Sequence, residues 1–147
     1  MLLPLKISLG FIALLFPILS FACTGGTNFG SLTPTTTFQT QAVQDGQYYT
    51  ANVTCGTTYT FTFCNNGGSS GSLFPEITIL DATGTVEHAF SPYVGGCSEL
   101  IWTAPFTGSI RILITDSGCF TGMTYNGTMA YHCLLYTSDA ADEMRRG

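Results

Sequence analysis

Positive charge is nearly absent from this sequence. Its 147 residues hold four Lys and Arg against nine Asp and Glu, a formal net charge of −5. Between Cys23 and His132 the only basic side chain is Arg111, facing Asp45, Glu76, Asp81, Glu87, Glu99 and Asp116. Such a surface repels phosphate backbones, so nucleic acid is excluded as a partner. Helical apolar spacing is missing outside the first residues, and so is the His-Glu-x-x-His motif of zinc hydrolases. No Cys-x-x-Cys pair occurs, and His88 and His132 are not spaced as ligand partners, so neither a metal nor a cofactor is expected. With 9% charged and 45% hydrophobic residues the chain is too apolar for disorder; its Thr, Ser, Gly and aromatic content points to an extracellular β-protein.

Both ends stand apart from the middle. Lys6, the apolar run Ile7 to Leu19 and the small-residue site Ser20-Phe21-Ala22 form a secretory signal peptide over residues 1–22. The run falls short of the ~20 apolar residues of a membrane span, and no second one follows. The mature chain is therefore expected to begin near Cys23, without a transmembrane segment, and to be secreted or held at the cell surface. At the other end, Cys133-Leu-Leu-Tyr-Thr-Ser-Asp-Ala-Ala-Asp-Glu143 back-translates to the transposon adapter of sequencing libraries. Residues 133–147 are accordingly read as adapter read-through, with the natural chain continuing past His132. That leaves residues 23–132 as one domain, long enough to bury a core.

Within that span the apolar residues alternate. Thr57 to Cys64 sets Tyr59, Phe61 and Phe63 against Thr58, Thr60 and Thr62, which predicts a strand with an aromatic inner face. Tyr49, Ala51 and Val53 share one face of Gly46 to Thr54, opened by the Asp45-Gly46 turn; the short Cys55-Gly56 link predicts a hairpin between these two strands. Further strands are expected at Thr36 to Val43, Pro75 to Ile79, Thr85 to Phe90, Ser98 to Thr103, Ser109 to Thr115 and Gly127 to Tyr131. About eight short strands with Gly, Asn, Asp and Pro turns predict an antiparallel, jelly-roll-like β-sandwich.

Six cysteines become five once Cys133 is assigned to the adapter, so one is left over from two bridges. Cys55 and Cys64 flank one extended strand, roughly 30 Å apart at about 3.3 Å per residue; that exceeds the ~7 Å limit for a disulfide. Cys97 and Cys119 sit in loops at one end of the Leu100 and Ile110 strands. If those strands pair, a Cys97–Cys119 bridge worth about 3 kcal/mol follows. Cys23, Cys55 and Cys64 stay unassigned. Ser20 stands where a lipobox needs an aliphatic residue, which argues against lipidation of Cys23.

Gln47-Tyr-Tyr, Cys55-Gly-x-x-Tyr-Thr-Phe-Thr-Phe-Cys64, Ile77-Thr-Ile-Leu-Asp-Ala-Thr-Gly84, Cys97-Ser-Glu-Leu-Ile-Trp-Thr-Ala-Pro-Phe-Thr-Gly108, Cys119 and Ala130-Tyr131 together resemble the β-sandwich modules of secreted and surface proteins of Bacteroidetes, which are similar to bacterial pre-peptidase C-terminal domains. The resemblance spans nearly all of residues 35 to 132. It implies a non-catalytic appendage of a larger exported chain. Val94-Gly-Gly stands where relatives carry an Asp pair, so no calcium site is implied.

Gly67-Gly-Ser-Ser-Gly71 spells a nucleophile elbow, but a Pro-containing strand follows where a helix is required. His88 reads as a surface residue on the polar face of its strand, and Glu76, Glu87 and Glu99 read as solvated. No catalytic residue is expected. The sequons Asn52-Val-Thr54 and Asn126-Gly-Thr128 matter only in a glycosylating host. Among the aromatics, Tyr48, Tyr93 and Trp102 are the candidate ligand contacts, although alternation with Leu100 also suits Trp102 to the core. The expected function is binding, adhesion or spacing in a larger exported protein, with the chain's other domains, glycans or surface proteins as partners. The alternative is a carbohydrate-binding module appended to a secreted hydrolase. Three aromatics on one flat face would favour the alternative; a buried Trp102 with scattered tyrosines would favour a scaffold.

Overall fold

The computed structural model describes residues 23–135; the expected signal peptide and the end of the expected adapter segment lie outside the described residues. Nine strands form two sheets: β1 (Thr27–Ser31), β2 (Gln39–Gln44), β3 (Gln47–Val53), β4 (Thr58–Thr62), β5 (Pro75–Asp81), β6 (Glu87–Ser91), β7 (Glu99–Thr103), β8 (Gly108–Asp116) and β9 (Asn126–Leu134). One sheet has the order β1-β3-β8-β5-β6 and the other β2-β9-β4-β7. All neighbours are antiparallel except β1, which runs parallel to β3. The all-β sandwich is as expected. The ninth strand, β1, is an addition: Thr-Asn-Phe-Gly-Ser is exposed throughout and carries no alternation. At the other end β9 runs on through Cys133 to Leu134, past the expected boundary at His132, and Cys133 pairs in register with Tyr59.

Period-two patterning decides the core. Tyr49, Ala51 and Val53 from β3, Tyr59 and Phe61 from β4 with Phe63 just beyond it, Leu100 and Trp102 from β7, and Ile110, Ile112 and Ile114 from β8 meet between the sheets. Burying apolar side chains of this size is worth about 1.5–3 kcal/mol each. A smaller cluster of Cys23, Leu80 and Leu113 lies on the outer face of the five-stranded sheet, with Tyr48, Phe90 and Cys119 packed against it.

The connections depart from expectation. The chain crosses from one sheet to the other at every link except the β5–β6 hairpin, which turns at Asp81 to Gly84. Cys55-Gly56 therefore joins β3 and β4 as an arch between sheets: β3 pairs with β8, and β4 with β7 and β9. β7 and β8 likewise belong to different sheets, which removes the premise of the Cys97–Cys119 pairing. That expectation is corrected, since the disulfides are Cys23–Cys119 and Cys64–Cys97. The first pins the start of the described chain to the loop after β8. The second clips the neighbouring strands β4 and β7 just beyond their ladder. Cys55 is free and exposed, and Cys133 is free and buried.

Candidate functional site

The aromatic residues singled out by sequence do not share a surface. Trp102 is 9% exposed and faces the core, 6.2 Å from Tyr59 and 6.2 Å from Phe106 between ring centroids. Tyr93 is half-buried in the β6–β7 loop, edge-on to Phe74. Tyr48 lies half-buried on the outer face of the five-stranded sheet, beneath the Arg111 guanidinium at 4.6 Å. Three residues thus take three separate places.

The candidate reactive groups are equally dispersed. Both Glu87 and His88 lie opposite Leu80, a bulge that turns His88 off the expected polar face. Its ring instead packs 4.9 Å from Phe106 and 6.3 Å from Trp102. Ser69 is held by paired backbone hydrogen bonds to Thr128 of β9, where its Oγ accepts from the Gly71 N–H. Glu76 is buried on the outer face, accepting from the Cys119 N–H and the Thr115 hydroxyl. Cys23, Glu76 and Cys119 bring their ligand atoms within 4.8 Å of one another. Both sulfurs are bonded to each other, so neither is a thiolate able to hold a metal. The same bond leaves no Cys23 sulfur for a lipid thioether.

A cleft that sequence reading missed lies where the two sheets part. On one flank the sandwich is sewn shut: the Ser91 hydroxyl of β6 donates to Glu99 O of β7, and the Ser98 hydroxyl donates to Ser91 O. On the opposite flank the edge strands β1 and β2 diverge around a cavity of about 320 Å³, lined by Phe29, Gln41, Gln44, Gln47, Tyr49 and Asn126 among others. The inner side of β2 carries Gln39, Gln41 and Val43, of which Val43 alone is fully buried. An edge strand with water beside it tolerates amides there, because each can find a partner.

The amides are tied together. Gln47, 3% exposed, accepts from the Gln44 backbone N–H at 3.0 Å and from the Tyr49 hydroxyl at 2.8 Å. Its own Nε2 donates to Gln44 Oε1, while Gln44 Nε2 donates to Asn126 Oδ1 at 2.7 Å. Gln41 Nε2 donates to Ala42 O. Burial pushes the Tyr49 phenol above its ordinary value, with the neighbouring Gln41 side chain opposing it to a smaller extent. The phenol is therefore neutral, and so is the whole lining. Gln39 Oε1, buried on the same side of β2, has no hydrogen-bond partner among the described residues. A second cavity, of about 470 Å³, opens at the end of the sandwich between the β1–β2 connection, Tyr59 and Cys133.

Residues 38–136 match the family model described as Domain of unknown function (DUF8695), and the chain belongs to that family. No curated protein matches it in sequence. Among solved structures it is similar to the pre-peptidase C-terminal domain of a collagenase from Bacillus anthracis, at 13% identity and a TM-score of 0.45, covering 76% of this chain and 96% of that one. It is also similar to PliG of Aeromonas hydrophila, a periplasmic lysozyme inhibitor of g-type lysozyme, at 9% identity and a TM-score of 0.47, covering 74% and 100%.

Proposed function

We propose that this chain is a non-catalytic, exported β-sandwich module that acts by binding, or as a spacer, beside other domains of a larger surface or secreted protein. One observation carries the reading: His88, expected on the solvent-facing side of its strand, is packed on Trp102 and Phe106 through a strand bulge. A general base has to reach the proton it abstracts. Ser69 and Glu76 are held on other elements, by β9 and by the Cys119 loop respectively.

Two disulfides support export, because such bonds persist in oxidising compartments. Burial of Trp102, with Tyr48 and Tyr93 on different surfaces, favours a scaffold over a flat aromatic platform. Tyr48 and Tyr93 keep their place as contact candidates for partner domains, each on its own surface. The test is turnover: the purified protein is incubated with ester, peptide and glycoside substrates alongside His88→Ala and Ser69→Ala variants. Background rates are expected throughout. Turnover that either substitution abolishes would refute the reading.

A further inference from the structure

The amide-lined cleft between β1 and β2 has a chemistry of its own. We infer that it binds a short segment of an uncharged glycan, an inference that rests on the binding-module reading and supplies the ligand class. Three properties select that class. Every residue lining the cavity is uncharged. A phosphate, carboxylate or ammonium group entering it would lose hydration with no opposite charge to meet.

The polar groups that remain are amides and one phenol, which offer donors and acceptors side by side, as sugar hydroxyls do. Each Gln or Asn spends only part of its capacity on the internal network. Asn126 Oδ1 accepts from Gln44, which leaves the Asn126 NH2 group for a ligand.

Phe29, 50% exposed on β1 and part of the lining, supplies an apolar ring against which the C–H face of a pyranose can lie. At about 320 Å³ the cavity stands at the low end of ligand sites. Such sites run to about 300–1,000 Å³, so this one suits roughly one or two sugar rings. Because the Gln44–Gln47–Tyr49 network already fixes its side chains, little side-chain freedom is left to lose on binding.

The competing occupant is an extended neutral peptide adding to the open edge of β2. Amide side chains tied to one another favour the sugar, because strand addition uses backbone groups and has no need of them.

Cellotriose, maltotriose and N,N′,N″-triacetylchitotriose are titrated separately into the isotopically labelled protein, and side-chain NH2 resonances are followed by NMR. At least one sugar is expected to shift Gln41, Gln44, Gln47 and Asn126 saturably. Gln41→Ala and Phe29→Ala, both folded by far-UV circular dichroism, are expected to weaken that binding about tenfold each; Ile101→Ala, exposed on β7 at the far edge of the sheet from β2, is expected to leave it unchanged. Silence with all three sugars overturns the ligand class. Shifts centred on Tyr48 or Tyr93 overturn the cleft but leave the binding module standing. Protection of β2 backbone amides by an uncharged peptide, with no response to sugar, assigns the cleft to a strand and refutes the glycan. Cleavage of a trisaccharide would instead refute the non-catalytic reading beneath it.

Discussion

Removing the two disulfides one at a time should destabilise the domain unequally. Cys23 and Cys119 are 96 residues apart in sequence, and Cys64 and Cys97 are 33 apart. In the chain-entropy treatment, closing loops of these lengths restricts the denatured state by about 4.7 and about 3.7 kcal/mol respectively at 25 °C. Packing adds to the difference in the same direction. Cys23 is buried against Leu80 and Leu113, whereas Cys64 is exposed.

The Cys23→Ala/Cys119→Ala variant should therefore lose at least about 1 kcal/mol more than Cys64→Ala/Cys97→Ala, roughly a fivefold difference in the folded-to-unfolded ratio. Urea unfolding followed by Trp102 fluorescence and far-UV circular dichroism measures both. The slope m should rise in each variant, because a denatured chain without its cross-link exposes more surface. Peptide mapping without reduction should first recover Cys23 with Cys119 and Cys64 with Cys97. Iodoacetamide should label Cys55 in the native protein and Cys133 only after unfolding. A larger loss on removing Cys64–Cys97, or recovery of a Cys97–Cys119 peptide, would refute the loop-length reasoning or the pairing itself.

Asp45 is fully buried and accepts from the Thr124 and Tyr125 backbone N–H groups, so Asp45→Ala leaves two donors unmet. A loss of about 2–4 kcal/mol is expected by urea unfolding, with faster amide exchange at residues 124 and 125. Tyr49 has its pKa raised by burial, so the stability tied to its neutral form is complete below about pH 10 and declines as pH rises beyond that toward the folded-state value. Tyr49→Phe should flatten that alkaline decline in urea midpoints. Asp81 is held well below the usual carboxylate range, chiefly by the Thr83 hydroxyl and then by the Val86 and Thr85 N–H groups. Its contribution is present above about pH 4 and fades as pH falls, so Asp81→Asn should lessen the acid loss, and the carboxyl resonance should titrate far below 3.9.

Alternation made the core legible, because a strand facing a second sheet must put every other side chain inward. Phe61 on β4, Ile112 on β8 and Met129 on β9 are all fully buried, each on the inner parity. Parity also ruled out a Cys55–Cys64 bridge across one strand. What alternation does not encode is which sheet a strand joins. A two-residue link such as Cys55-Gly56 serves a hairpin or an arch equally well, and choosing the hairpin for β7 and β8 carried the wrong disulfide with it. β1 escaped notice because an edge strand exposed on both faces has no pattern to show. The bulge at β6 shifted His88 by one position and so to the opposite face from its alternation. Nothing in the sequence marks the glutamines of β2 as lining residues, because only the gap between the sheets gives them an interior to line.

The two flanks of the sandwich divide its work. The β6–β7 flank holds the Cys64–Cys97 bridge, the Ser91–Ser98 hydroxyl ties and the His88–Trp102–Phe106 cluster, so cross-links and packing fix its geometry. At the β1–β2 flank the tie between sheets is made by polar side chains, with Gln44 and Gln47 bonded to each other across the Asp45-Gly46 turn. Gly46 has φ of 79°, and an added Cβ would stand 2.6 Å from Thr121 O, so that turn accepts only glycine while the loop after β8 stays against it. Asp45 grips the same loop through Thr124 and Tyr125. The open flank is thus held in shape by the Asp45 and Gly46 clamps beside the cleft together with the Gln44–Gln47 pair in its lining, whereas Gln41 and Phe29 belong to neither. A ligand therefore meets side chains already positioned, and substitutions at Gln41 or Phe29 alter recognition without loosening the frame.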